Sequence, residues 1–180
     1  MRLFIAINLN DDLKDALADT ISDLRAAACR GRYTSRENLH LTLVFIGETD
    51  RADDVMDVME EVCEETFTEP VTLTLSGAGA FRGRGGDLHW VGIENTPELK
   101  SLAKALASGL RDAGFDIEKR RFTPHITIGR QIVIDGNNEK NAAINVRMAA
   151  MQADRVSLMR SDRIDGKMVY TEIVSVTCGM

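Results

Sequence analysis

A four-residue pattern occurs twice in this chain: histidine, aliphatic, threonine, aliphatic. It stands as His40-Leu41-Thr42-Leu43 within LHLTLVFI (39–46) and as His125-Ile126-Thr127-Ile128 within FTPHITIGR (122–130). The two copies use two of the chain's three histidines. A strand-like apolar run and then an amphipathic helix precede each copy. The histidines lie 85 positions apart and the centres of the leading runs 84 apart. Self-similarity at a fixed offset marks an internal duplication. It predicts one domain over residues 1–180, built as two pseudo-symmetric lobes whose equivalent strands face each other across a central groove.

Local signals fill in the elements. LFIAINL (3–9) is a continuous apolar run, as in a strand covered on both faces. Residues 11–27 place Leu13, Leu17, Ile21 and Leu24 at helical spacing behind Asn10 or Asp11 as cap. In 39–46, strict alternation puts Leu39, Leu41, Leu43 and Phe45 on one face and His40, Thr42, Val44 and Ile46 on the other. A helix follows over 51–67, with Val55, Met59, Val62 and Cys63 inward and its methionines as core filler. Strands at 71–76 and 88–93 flank the loop RGRGGD. The helix over 96–114 has Thr96 as cap, Pro97 in its first turn, four inward leucines and Gly114 as terminator. A short helix is expected near 138–149, then two strands, DRVSLMRS and KMVYTEIVSV, joined through DRIDGK.

A histidine in an apolar run is more often structural than catalytic, and a pair changes that reading. Each imidazole titrates near neutral pH, and displacement at phosphorus needs one proton removed and another delivered. Threonine hydroxyls on the imidazoles' face can hold non-bridging phosphate oxygens. Arg30, Arg32 and Arg36 precede the first motif, Lys119, Arg120 and Arg121 precede the second, and Arg130 follows it. Alternation turns Arg130 away from His125 unless the strand bulges at Gly129.

Composition limits the alternatives. At 180 residues, 44% hydrophobic and 28% charged, the chain can bury a substantial core. Its net charge of −6 argues against sequence-blind nucleic-acid binding, while leaving room for a local basic site. Three dispersed cysteines, Cys29, Cys63 and Cys178, suggest neither a disulfide framework nor a zinc site. With no membrane-length apolar run and no cleavage pattern, the chain reads as cytoplasmic.

RENLHLTLVFIGE, RFTPHITIGR and the opening MRLFIAINL together resemble the two-histidine (2H) phosphoesterase superfamily, in its RNA 2′,3′-cyclic phosphodiesterase branch, historically the 2′-5′ RNA ligase family. The resemblance covers essentially the whole chain. It implies an α+β bilobal fold of mostly antiparallel sheet with outer helices. It also implies metal-independent opening of terminal RNA 2′,3′-cyclic phosphates to 2′-phosphates, with no cofactor. By the family's pattern His40 is the proton donor and His125 the proton acceptor, while Thr42, Thr127 and Arg130 contact phosphate. Phe45, Tyr33 or Phe122 could stack a terminal base. The partners implied are RNA ends or nucleotides carrying the cyclic phosphate, with no membrane, and a monomer is expected.

Two departures stand out: Val44 where the branch commonly has Lys, and His89 where an aliphatic residue is usual, which raises the question of a third active histidine. Other readings keep the site but change its use. They are small cyclic nucleotides or 2′-5′ linked oligonucleotides as substrates, ligation as a side reaction, or a non-catalytic module that binds RNA ends.

Overall fold

A computed structural model describes residues 1–134 and 144–179. Its strands are β1 (Arg2–Asn8), β2 (Ala28–Tyr33), β3 (His40–Glu48), β4 (Val71–Phe81), β5 (Asp87–Ile93), β6 (His125–Ile134), β7 (Ala150–Ala153), β8 (Arg155–Ile164) and β9 (Lys167–Thr177). Its helices are α1 (Asp11–Ala27), α2 (Ala52–Thr66) and α3 (Pro97–Asp112). The strands form two sheets, ordered β3-β1-β8-β9 and β2-β6-β5-β4-β7, and every recorded pairing is antiparallel.

Helix ends lie where the sequence signals them. The Asn10 side chain accepts from the Leu13 amide at 3.0 Å, and Thr96 caps α3 through the Leu99 amide. Pro97 occupies the first turn of α3, and Gly114 follows the helix at φ +83°, a conformation open to glycine at little cost. The β8–β9 hairpin closes on Asp165 and Gly166, both at positive φ, as a two-residue turn matched to strand twist requires.

The two sheets share one core. Helix α1 leaves β1 of the first sheet yet packs on β2, β6 and β7 of the second, whereas α3 leaves β5 of the second and packs on β3 of the first. Leu3, Ile5 and Ile7 from β1 thereby join Val91, Leu99, Leu106 and Ile128 in a single buried cluster.

The structure adds one strand and corrects two expectations. ACRGRY forms β2, an edge strand that period-2 hydrophobicity could not reveal. Residues 144–149 carry no helix and lead into the short strand β7; the remainder of the segment expected to be helical, 138–143, lies outside the described residues. Strict alternation fails in β3, where Leu43 and Val44 are both buried and Phe45 is exposed.

Candidate active site

Both motif histidines open their strands, and both are anchored alike. His40 Nδ1 donates to the Asn38 carbonyl at 2.7 Å, and His125 Nδ1 donates to the Thr123 carbonyl at 2.7 Å. A carbonyl oxygen only accepts, so Nδ1 carries the proton in each neutral ring and Nε2 keeps a free lone pair. In His40 that lone pair lies 3.0 Å from the Thr42 hydroxyl, which donates to it. The Thr127 backbone is fixed from β2's end, where the Thr34 hydroxyl donates to its carbonyl at 2.9 Å.

The duplication extends to strand register. Asn8 lies opposite His40, Ala6 opposite Thr42 and Ile5 opposite Val44. In the second sheet Gly92 lies opposite His125, Trp90 opposite Thr127 and His89 opposite Gly129. Directly opposed residues share a face. The ladder slips by one residue in each motif strand, at Leu43 and at Ile128. These bulges decide where the next side chains point. In β3 the bulge returns Phe45 to the His40/Thr42 side, opposite Phe4, and buries Val44 in the core opposite Ile5. In β6 the bulge lies at Ile128, one residue before the expected Gly129. It leaves Gly129 on the core side against Ile132 and exposes Arg130 on the His125/Thr127 side.

Arg130 connects the halves electrically. Burial is the main cause that lowers the His40 pKa below the ordinary imidazole value; the Asn38 hydrogen bond opposes it, and the charge of Arg130 lowers it further. A side chain of β6 therefore acts on the histidine of β3, and the two strands pack against each other. The other predicted basic residues divide between ion pairs and the exposed strand β2. Arg36 is tied to Asp11 and Asp15 at 3.1 and 2.8 Å, and Arg120 pairs with Glu118 at 3.5 Å. Arg30 and Arg32 are exposed on β2.

Aromatic rings flank both histidines. The ring centroid of Phe4 is 4.9 Å from that of His40, and Tyr170 of β9 meets His40 edge-on at 5.1 Å. Phe81 of β4 meets His125 edge-on at 5.5 Å while lying against Trp90 at 5.4 Å. Tyr170, Phe81 and Trp90 escaped sequence reasoning because sheet pairing, rather than proximity in the chain, brings them here. Phe45 is 44% exposed, with the Arg2 guanidinium 5.0 Å from its ring centroid. Tyr33 and Phe122 instead pack partly buried against the core.

His89 faces inward. It is 8% exposed, on the side of β5 opposite to Trp90, and occupies the register position that Ile5 holds in the first sheet. Burial lowers its pKa; Asp87 opposes that shift and Arg82 adds to it. Among the described residues no three His, Cys, Asp or Glu side chains are grouped as a metal site.

Two antiparallel sheets that present equivalently anchored His/Thr pairs are the architecture of a two-histidine phosphoesterase. The chain belongs to the 2′-5′ RNA ligase superfamily, whose profile matches residues 13–165. An RNA 2′,3′-cyclic phosphodiesterase of Methanothermobacter thermautotrophicus is 30% identical over 181 aligned residues, covering 96% of each chain. One of Thermotoga maritima is 36% identical over 132 residues, 72% of this chain and 70% of that one. The crystal structure of Escherichia coli LigT complexed with 3′-AMP superposes with a TM-score of 0.75 at 26% identity, over 99% of this chain and 98% of that one.

Proposed function

We propose that this chain hydrolyses the terminal 2′,3′-cyclic phosphate of RNA to a 2′-phosphomonoester, with His40 and His125 as the acid–base pair. The observation that carries the reading is the identical anchoring of the two imidazoles through Nδ1, which makes Nε2 the proton-exchanging atom of each ring, that of His40 lying beside the Thr42 hydroxyl. The names of the relatives point to the same reaction, and a 3′-nucleotide occupies the related LigT crystal.

In this mechanism neutral His125 accepts a proton at Nε2 from the attacking water as the new P–O bond forms. His40, protonated at both nitrogens, delivers its Nε2 proton to the departing 3′ oxygen as the P–O3′ bond breaks. Burial and Arg130 disfavour the His40 cation in the free protein; an arriving phosphate anion opposes that effect and charges the acid when it is needed. Thr42 and Thr127 offer hydroxyls to the phosphate oxygens, and Arg130 offsets charge developing on them. Phe45, exposed on the same side, supplies a surface for the terminal base. The acid and the base are both imidazoles, so the proton transfers need no metal.

The chain acts as a single two-lobed unit over 1–180, as a cytoplasmic monomer. No helix among the described residues is long and apolar enough to cross a membrane.

The test is incubation in EDTA with a short RNA ending in a 2′,3′-cyclic phosphate. We expect a 2′-phosphate product, with kcat reduced about 10²–10⁴-fold in His40→Ala and in His125→Ala, the range of general acid–base contributions. Comparable turnover by either variant would exclude the assignment.

A further inference from the structure

Arg32 and Arg130 lie directly opposite each other across the β2–β6 ladder. Their neighbours fix which way they point. A Cβ on Gly31 would come within 3.4 Å of Ile132 side-chain and backbone atoms, and one on Gly129 within 2.8 Å of Ile132 Cδ1. Both glycines therefore press on the buried Ile132, and the two arginines project from the other side, the side of His125 and Thr127. Like charges directly opposed on one face destabilise a ladder. Neither guanidinium has an acidic partner within 4 Å among the described residues. In a chain with a net charge of −6, two exposed arginines held side by side, without an acidic partner among the described residues, form a candidate site for an external anion.

The backbone under them is held in place. The Arg30 guanidinium donates to the Gly85 carbonyl at 3.5 Å, and Gly86 approaches the Gln131 backbone so closely that a Cβ there would collide with it. The RGRGGD loop thus pins the β2–β6 edge at the residue after Arg130.

Resting on the function proposed above, we propose that Arg32 is a specificity residue that grips the phosphodiester on the 5′ side of the terminal nucleotide, beside the terminal-phosphate contact of Arg130. Adjacent strands lie about 4.8 Å apart; with Arg130 assigned to the reacting phosphate, Arg32 beside it is left for the next anion along the strand. A strand of RNA supplies the second anion, and a mononucleoside cyclic phosphate does not. The chain consequently prefers oligonucleotides.

The experiment compares kcat/KM of the wild type and Arg32→Gln on a short RNA ending in a 2′,3′-cyclic phosphate and on the matching mononucleoside 2′,3′-cyclic phosphate. A parallel titration measures binding of a fluorescein-labelled RNA against salt. Arg32 is exposed on an edge strand, and Arg32→Lys, which keeps the charge, controls for folding. The expected result is a loss on RNA about tenfold larger than the loss on the mononucleotide, expressed mainly in KM. The slope of log affinity against log salt should fall by about 0.7, one phosphate contact on a single strand. Equal losses on both substrates, or RNA affinity unchanged by Arg32→Gln, would overturn the proposal. If neither substrate is turned over by the wild type, the hydrolytic reading fails, and the binding titration still decides the role of Arg32.

Discussion

His89 shows how one buried side chain sets the response of the fold to acid. It lies on the core side of β5, and its folded-state pKa is lowered by burial. Unfolding releases it to the ordinary imidazole value of about 6.5. As pH falls below that value the unfolded chain takes up the proton first, so the stability His89 contributes is present above about pH 6.5 and is lost toward the lower folded-state pKa. Its register counterpart is Ile5, fully buried. His89→Ile should therefore narrow the difference in melting temperature between pH 7 and pH 5 while turnover of the cyclic phosphate persists. A variant that melts as steeply with acid as the wild type would assign the sensitivity elsewhere. Some of it will remain in either case, since the pKa of His40 is lowered for the same main reason.

At the scale of elements, the bulges at Leu43 and Ile128 aim the site. Helices were legible because their signals are local: an Asn10 or Thr96 cap, a Pro97 start, a leucine every turn. The His/Thr faces were legible too, because alternation holds from His40 to Thr42 and from His125 to Thr127. Beyond those residues the pattern is ambiguous. Leu43-Val44 and Ile128-Gly129 are apolar or small on both sides, and a ladder slip inside such a run leaves no mark in sequence. Strand β2 was illegible for a different reason: ACRGRY becomes a strand only because β6 offers it an edge. The second bulge depends on close approach. Ile132 is confined between Gly31 and Gly129, so its side chain has little room to move aside. Gly129→Ala should cost about 1–3 kcal/mol in denaturant unfolding, the range for overpacking a core. Trimming the obstructing Cδ1 with Ile132→Val should recover part of the loss in the double variant. Additive losses would mean that the two positions do not compete for space.

For the whole molecule, the halves of the repeat are not separable pieces. The first sheet takes β1 and β3 from the start of the chain and β8 and β9 from its end; the second takes β2 from the first half. Helices α1 and α3 each pack on the sheet opposite to the one they leave. One core cluster runs through both. Unfolding should accordingly be a single cooperative transition, coincident by far-ultraviolet circular dichroism and by Trp90 fluorescence. Two resolved transitions would show that one sheet stands without the other. The chain-order symmetry was legible as an 85-residue offset between motifs, but the exchange of strands and helices was not, since hydrophobic periodicity records that a face is buried and not which partner buries it.

The repeat is broken where the bulges present their side chains. Phe45 and Arg130 stand at equivalent places after the two motifs, one a neutral ring and the other a cation. A site made of two equal halves would have no direction: a cyclic phosphate could enter either way round, and neither imidazole would be committed to giving or taking the proton. One ring and one guanidinium in place of a matched pair supply a compass. In the reaction proposed above, they set which end of the ribose faces which histidine, and so which of the two oxygens on phosphorus is let go.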